Sequence, residues 1–405
     1  MCFVFCRTAK NEGHPRQGVD NNLAGRTRPA SPPDHPSRAY GALPPASAAL
    51  RDGRLLLPPA DNTSHVKTGK LLYNHTLIPH SNKALIMQTS GREFAIIQRY
   101  FREYAGTDAS ITTGIGDDCA VITPTPGMQQ AITVDTSIAD RHFPADAPAF
   151  LVGRRALNVS LSDLAAMGAG AHWFTLAISL PQLDEAWLAE FSRGLFAAAA
   201  DADVKLIGGD TTRGPLAITV QCQGELPAGS ALLRSGAKAG DTVYITGTPG
   251  MAAAGLALYQ QKRDTPQALL HAYLDPVPQL ALGQKLRGFA SSCVDISDGL
   301  LADLGHILAA SGLGAEIDAA AIPLCEEAVT LFGHQQALEW ALGGGDDYLL
   351  CFTSPLDSAT LQHNGIEPLH AIGVITEQSQ CALANLPSGL TINHTGFDHF
   401  HEPSI

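Results

Sequence analysis

Acidic motifs beside short apolar segments are the feature that most constrains how this chain can fold. The sequence holds six of them: Gly116-Asp117-Asp118, Thr133-Val134-Asp135-Thr136, Ser162-Asp163, Gly208-Gly209-Asp210, Asp295-Ile296-Ser297-Asp298 and Gly343-Gly344-Gly345-Asp346-Asp347. One such motif alone usually marks a turn or a helix N-cap. Six of them, most at the ends of apolar strands, favour a fold in which strand ends converge on one crevice.

The spacing of apolar residues predicts strands mixed with helices, and therefore an α+β or α/β fold. In the first unit, the predicted elements cover residues 94–101, 119–122, 131–134, 147–167, 171–180, 185–200, 204–207 and 217–222. In the second unit, they cover 241–245, a helix from 251, 279–289, 293–296 and 300–308, which Gly312 is placed to end. We expect a first domain over residues 89–235 and a second over 236–402.

Residues 1–88 differ from the rest in composition. They are rich in Pro, Arg, Asn, Ser and His and show no sustained period of a helix or a strand. A segment such as Ser31-Pro32-Pro33-Asp34-His35-Pro36 cannot continue a helix or a central strand. We therefore predict a disordered extension. Met87 is a candidate for the true start of translation, and a targeting peptide is the less favoured interpretation.

Charge and cysteine content exclude several classes of partner. The formal net charge of -13 argues against binding to a nucleic-acid backbone, which favours basic surfaces. No apolar run approaches the ~18 residues of a membrane span. The eight cysteines are scattered, without a C-x-x-C pair of the kind that binds zinc. We predict a cytoplasmic protein with neither a nucleic-acid nor a membrane partner.

The predicted crevice needs cations, because several converging carboxylates repel one another. Ligands that are oxygen atoms only suit Mg²⁺, Ca²⁺ or Mn²⁺ rather than Zn²⁺. The usual phosphate-binding loops, such as G-x-x-x-x-G-K-[ST], are missing. Phosphates would then be held by cations, by glycine-loop amides and by an arginine such as Arg213 or Arg234. The sequence therefore predicts a metal–nucleotide site.

Several segments resemble the thiamine-monophosphate kinases, a family of the wider aminoimidazole-ribotide synthetase-like superfamily. They are residues 114–120 (GIGDDCA), 158–169 (NVSLSDLAAMGA), 206–215 (LIGGDTTRGP), 234–237 (RSGA), 295–300 (DISDGL) and 396–400 (GFDHF). The resemblance implies a two-domain fold, in which the sheet of the N-terminal domain forms a β-barrel in a homodimer and the C-terminal domain is α/β. It implies that ATP phosphorylates thiamine phosphate to thiamine diphosphate.

The resemblance also implies roles for individual residues. Several Mg²⁺ ions would be held by Asp118, Thr133, Val134, Asp135, Asp163, Asp210, Asp295 and Asp298. ATP would contact Gly209, Asp210, Arg234 and Ser297. Thiamine phosphate would face His142, Asp346 and Phe397. The family usually has Glu where Asp346 stands, which affects the reach of this side chain. No catalytic general base is expected, because a phosphate acceptor is already ionised near neutral pH.

Two other interpretations remain open. In the first, the chain is another ATP-dependent enzyme of the same superfamily. In the second, it is a non-catalytic acidic protein that binds divalent cations. A selenophosphate synthetase would need a reactive Cys near the start of the ordered domain, and a hydrogenase-maturation relative would carry a C-terminal cysteine. A calcium-binding protein would contain loops of the form D-x-[DN]-x-[DN]-G-x₅-E. The sequence shows none of these features.

Overall fold

The structure, a computed structural model, describes residues 92–388, 390, 396 and 397. The predicted disordered extension over residues 1–88, with Met87 as a start, lies outside the described residues. Among the helices that are described, none is both long enough and apolar enough to cross a membrane.

The first domain is built around one sheet. A short helix α1 (Arg92–Ile96) continues into a π-helical turn (Ile97–Phe101) and a 3₁₀ turn (Arg102–Tyr104). The remaining elements are β1 (Ile111–Thr113), β2 (Val121–Ile122), β3 (Met128–Ile138), α2 (Ala149–Ala166), β4 (Gly170–Leu180), α3 (Glu185–Asp201), β5 (Lys205–Arg213) and β6 (Ala217–Pro227). Asp184 starts α3 as its N-cap, because its carboxylate accepts hydrogen bonds from the backbone amides of Ala186 and Trp187.

Four strands form this sheet in the order β3-β6-β4-β5, and only the β4–β5 pair is parallel. Helices α2 and α3 bury one face, where Leu157, Phe174 and Phe191 belong to a common core. The other face, which we call the open face, carries Ile132, Val134, Thr136 and Asp210. Ile132 and Val134 are 58% and 61% exposed on it.

Three strands of this sheet extend beyond their predicted ends, among them β6, which continues to Pro227 rather than ending at 222. The prediction placed Thr133–Thr136 at the end of a strand and Gly208–Asp210 after one, but β3 continues to Ile138 and β5 to Arg213. Polar residues do not end these strands, because Thr136 and Asp210 lie on the open face, while Thr133 is bonded to Asp163 of α2. Gly209 is required in β5, since its φ is +155° and a Cβ there would lie 1.8 Å from the Leu176 carbonyl oxygen.

The second domain has a larger sheet. Its elements are β7 (Thr242–Ile245), α4 (Met251–Gln260), α5 (Gln267–Leu274), α6 (Leu280–Leu286), β8 (Ser292–Asp295), α7 (Leu300–Ser311), β9 (Gly314–Asp318), a 3₁₀ turn (Ala319–Ala321), α8 (Glu326–Phe332), α9 (His334–Gly343), β10 (Leu350–Ser354), α10 (Ser358–His363), β11 (His370–Thr376) and β12 (Cys381–Ala384). The strand order is β12-β9-β11-β7-β10-β8, antiparallel except for β9–β12. Gly312 ends α7 with a φ of +69°, as predicted, whereas α6 is shorter than the predicted 279–289.

Helix α2 joins the two domains. It packs on the first sheet and also contacts α5, α6 and β8 of the second domain. One close approach is at Gly283 of α6, where a Cβ would lie 1.9 Å from the Ala165 carbonyl oxygen. Ala165 and Ala166 share an apolar cluster with Leu286 and Phe352. The side chains of α2 that point along this junction therefore reach both domains.

Candidate active site

A cavity of about 840 Å³ lies between the two domains. The first domain lines it with β3 and α2, and the second lines it with α4, the loop after β8 and the loop before β10. Nine of the residues predicted for the site line this cavity: Val134, Asp135, His142, Asp163, Asp295, Ser297, Asp298, Asp346 and Phe397. Its volume is that of a typical small-molecule site.

Three of these residues, Asp135 of β3, Asp163 of α2 and Asp295 of β8, form an acidic cluster. Burial, reinforced by repulsion from Asp163, raises the pKa of Asp135 to about 6 and the pKa of Asp295 to about 7. The Thr133 hydroxyl donates to Asp163, and the Ser162 hydroxyl donates to Asp295 Oδ2 over 2.7 Å. These two bonds fix carboxylates that come from different domains.

The acidic cluster fits a divalent cation. Among the described residues, Asp135 Oδ2 is a buried oxygen without a hydrogen-bond donor. Such an atom is costly to bury unless a proton or a cation satisfies it. All the donor atoms of the cluster are oxygens, which is the ligand type that Mg²⁺ prefers. The donor type therefore matches the predicted ion. Among the described residues, however, the three ligand atoms that lie within 4.8 Å of one another belong to Asp298, Asp303 and His306.

The loop after β8 is held by an acid that sequence analysis missed. Asp303 of α7 is buried, and its Oδ2 accepts hydrogen bonds from the amides of Ser297, Asp298 and Gly299, each over 3.0 Å. On the other side, the Phe397 amide donates to the Asp298 carbonyl oxygen over 3.0 Å. The loop thus presents the Ser297 and Asp298 side chains to the cavity from a fixed backbone.

The histidine at the far end of β3 has a defined tautomer. His142 Nδ1 accepts a hydrogen bond from the Ile138 amide over 3.0 Å. A neutral ring in this arrangement carries its proton on Nε2 and can donate it to a ligand oxygen. Nearby, the Arg141 guanidinium lies 4.9 Å from the centre of the Phe397 ring. This end of the cavity therefore offers hydrogen-bond donors and an aromatic surface.

Asp346, which was predicted to face the acceptor, has an unusual backbone conformation. Its φ is +69°, in the left-handed region that side chains other than glycine rarely adopt. Its amide donates to the Ser297 carbonyl oxygen over 2.8 Å, and its Oδ1 accepts from Arg155 Nη2 over 2.5 Å. Arg155 is a buried residue of α2, so this ion pair connects the two domains.

Five predicted residues lie outside the cavity lining. Thr133 adjoins it through its bond to Asp163. Asp118 is exposed in the β1–β2 loop, and Arg234 is exposed beside the start of β8, where the Leu233 carbonyl oxygen accepts from the Cys293 amide. Gly209 and Asp210 line a separate pocket of about 40 Å³ with Ile115.

The strand register shows how far Asp210 is from the acidic cluster. Asp210 pairs with Ala177, Ala177 with Thr219, and Thr219 with Thr136, whereas Asp135 pairs with Val220 of the core. Paired residues point to the same face, so Asp210 and Asp135 lie on opposite faces of the sheet. Their strands are also its two edges, separated by three strand spacings, about 14 Å in total.

Comparison with known proteins agrees with this architecture. The family model for the N-terminal domain of AIR synthase related proteins matches residues 116–226, and the model for their C-terminal domain matches 238–384. Thiamine-monophosphate kinase of Escherichia coli (strain K12) is 45% identical over 324 residues, which are 77% of this chain and 99% of that protein. The chain belongs to the thiamine-monophosphate kinase family. This membership confirms the resemblance found in the motifs.

Solved structures of thiamine-monophosphate kinases share the fold. The crystal structure of the enzyme from Stenotrophomonas maltophilia K279a has a TM-score of 0.68 and 42% identity, and the match covers 72% of this chain and 96% of that one. A structure described as AaThiL complexed with AMPPCP and TMP has a TM-score of 0.62 and 28% identity, covering 71% and 92%. The two-domain fold with mixed α/β content is thus confirmed.

Three polar side chains of this family member were not predicted from its sequence: Arg155, Asp303 and Tyr348. Arg155 left a signal, because it stands eight residues before Asp163 and thus on the same face of α2. A charged residue in line with a predicted ligand on a buried helix is a candidate site residue. Asp303 and Tyr348 show no comparable sequence signal. Their hydrogen-bond partners lie in turns whose conformation cannot be read from the sequence.

Proposed function

We propose that this chain transfers the γ-phosphoryl group of ATP to thiamine phosphate, giving ADP and thiamine diphosphate. The observation that carries the proposal is the acid-lined cavity between the two domains of a thiamine-monophosphate kinase family member. The related structure complexed with AMPPCP and TMP supports ATP and thiamine phosphate as the two substrates. Purified protein should form thiamine diphosphate from both with Mg²⁺, and an inactive but folded protein would refute the proposal.

Several Mg²⁺ ions are proposed, in two groups. One group would be held by Thr133, Val134, Asp135, Asp163, Asp295 and Asp298 around the cavity. The other would be held by Asp118 and Asp210 near the β5 edge. Ions held by these residues would supply positive charge that offsets the charge developing on the transferred phosphoryl group. ATP would contact Ser297 in the cavity and Gly209, Asp210 and Arg234 outside it.

The acceptor end is proposed to bind thiamine phosphate without a general base. A phosphate monoester has a second pKa of about 6, so its oxygen is already ionised at neutral pH and can attack directly. His142 would donate from Nε2 to the acceptor phosphate, in keeping with its tautomer. Asp346 and Phe397 would contact the rest of the acceptor. The protein's task is then to position two anions in line.

A homodimer is proposed to cover the open face of the first sheet. Within the described residues this sheet is not closed into a barrel, because β3 and β5 are its edges. Apolar residues as exposed as Ile132 and Val134 in one strand mark an interaction surface. A second copy paired there would give the barrel that the resemblance implies.

The dimer proposal has a direct test. Light scattering on the purified protein should give the mass of two chains, and Ile132→Asp should give that of one. Leu183→Asp is the matched control, because Leu183 is an exposed apolar residue in the turn before α3. A monomeric wild-type protein would contradict the proposal.

A cytoplasmic location stays a prediction, which fractionation of the producing cells can test.

A further inference from the structure

Arg155 is a buried cation in the wall of the proposed acceptor site. Its guanidinium donates to Asp346 Oδ1 from Nη2 over 2.5 Å and to the Tyr273 carbonyl oxygen from Nη1. The guanidinium carbon lies 4.7 Å from the centre of the Tyr273 ring and 5.8 Å from that of Tyr348. Arg155, Tyr273, Asp346 and Tyr348 all line the cavity.

Arg155 is connected to two of the proposed acceptor-binding residues, directly to Asp346 and through Tyr273 to His142. Asp346 Oδ1 also accepts from the Tyr348 hydroxyl over 3.1 Å, so one carboxylate oxygen is held by two donors. On the other side, the Tyr273 hydroxyl donates to the His142 carbonyl oxygen over 3.4 Å. The Arg155 guanidinium thus connects the loop that carries His142 in the first domain with the loop that carries Asp346 in the second.

The loop that carries Asp346 needs external support. Asp346 and Tyr348 both have positive φ values, +69° and +51°. Each such residue costs about 1 kcal/mol or more unless its surroundings impose the conformation. Both side chains meet at Arg155, so the ion pair and the ring contacts hold the strained loop against α2.

Stability alone is a weak explanation for a buried ion pair. Desolvation of the two charges offsets most of their attraction, and apolar side chains of similar volume often stabilise a protein more. The Asp346 side chain remains 34% exposed, so part of this carboxylate faces the cavity. It can therefore meet a cationic or hydrogen-bond-donating group of a ligand.

We propose that Arg155 is a positioning residue for the acceptor, which holds Asp346 in the orientation that receives the cationic or donor groups of the acceptor ring. The proposal rests on the proposed function. In this proposal, Arg155 influences acceptor binding only because it holds the Asp346 carboxylate. Substituting Arg155 should therefore leave the acceptor KM unchanged in a protein whose Asp346 has already been replaced.

A double-mutant cycle tests the route through Asp346. Steady-state kinetics should be compared for wild type, Arg155→Lys, Asp346→Asn and the double variant, with KM for thiamine phosphate, KM for ATP and kcat determined separately. Lysine keeps the charge but lacks the planar fork. Each single variant should raise the acceptor KM about tenfold, the loss expected for a hydrogen bond to a charged group. The double variant should match the single variants within about twofold, because the residues act as one unit.

Arg154→Lys is the matched control. Arg154 is the preceding residue of the same helix and is also paired across the domains, with Asp275 over 2.8 Å, but it does not line the cavity. Its substitution should lower the melting temperature without changing the acceptor KM. If Arg155→Lys does not fold, Tyr348→Phe takes its place in the cycle, since it removes the second donor to Oδ1.

The outcomes separate the inference from the function on which it rests. A wild-type protein that makes no thiamine diphosphate refutes the proposed function. An active wild type, together with an Arg155→Lys variant of unchanged acceptor KM, refutes the inference. Multiplied effects in the double variant, about 100-fold in KM, would also overturn it, because independent residues give additive free energies.

Discussion

The acidic cluster and the β5 edge carry similar motifs in very different surroundings. Asp135 and Asp295 are enclosed by two domains, and burial raises the pKa of both. Asp118 and Asp210 are exposed to solvent on or beside the first sheet. In the cavity, burial favours a proton or a cation on these carboxylates, whereas the carboxylates at the β5 edge are open to solvent. Sequence motifs alone therefore do not distinguish buried acids from exposed ones.

Removing one carboxylate of the acidic cluster should have the largest effect. Asp295→Asn is expected to lower kcat/KM by roughly 100-fold or more, about 2.7 kcal/mol at the barrier. At pH 8 it should also raise the melting temperature without Mg²⁺, because the wild-type carboxyl, whose pKa is about 7, is ionised and repelled there. Calorimetry with and without Mg²⁺ measures this. A normal rate at saturating Mg²⁺ would contradict the assignment.

The same substitution at the β5 edge should be milder. Asp210→Asn is expected to lower kcat/KM by about 30-fold, because an exposed carboxylate interacts with a cation through a higher dielectric. It should preserve the melting temperature and most of the increase that Mg²⁺ produces, which Asp295→Asn should lose. If the two variants lost this increase equally, the contrast between the regions would be wrong.

The end of the cavity at His142 offers a third test. His142→Ala should raise the acceptor KM about tenfold and lower kcat much less, the pattern of lost substrate binding. Its single-turnover rate should keep the wild-type pH dependence above about pH 7, where the acceptor phosphate is ionised. A variant that lost most of its kcat and regained it at higher pH would identify His142 as a base.

Asp347 is a buried acid outside the acidic cluster, so it shows the effect of burial on a carboxyl group that is not proposed to bind an ion. Asp347 accepts hydrogen bonds from the Gly250 and Ala252 amides at the start of α4, and burial raises its pKa to about 7. Asp346 adds repulsion, and His271 and Asp275 line the adjacent pocket. The folded state thus holds a proton that the unfolded state has lost between about pH 4 and 7.

The stability that Asp347 contributes is therefore present below about pH 4 and lost as the pH rises to 7. In urea titrations, the unfolding free energy of Asp347→Asn should decline less steeply with pH than that of the wild type, by up to about 1.4 kcal/mol per pH unit. The change should be the same with and without Mg²⁺. A Mg²⁺-dependent change would mean that Asp347 belongs to the ion site after all.

The sequence predicted those elements whose pattern is local. Helix α2 was predicted at 147–167 and found at Ala149–Ala166, because its apolar stripe and the preceding Pro148 are local signals. The ends of β3 and β5 were missed, since one face of their sheet is open and polar residues do not interrupt it. The convergence of Asp135, Asp163 and Asp295 was predicted, but the position of Asp210 depends on strand order, which no local pattern encodes.

The position of α2 between the domains has a consequence for how this chain can vary in length. Arg155, Val159 and Asp163 follow one another at four-residue intervals and line the cavity together. Eight residues of helix span about 12 Å, so one rigid rod sets the distance between the acidic end of the cavity and its acceptor end. Deleting a single residue between Arg155 and Asp163 would turn one end by about 100° relative to the other. These two turns therefore cannot change in length, and a chimaera with a related chain should take them whole from one parent.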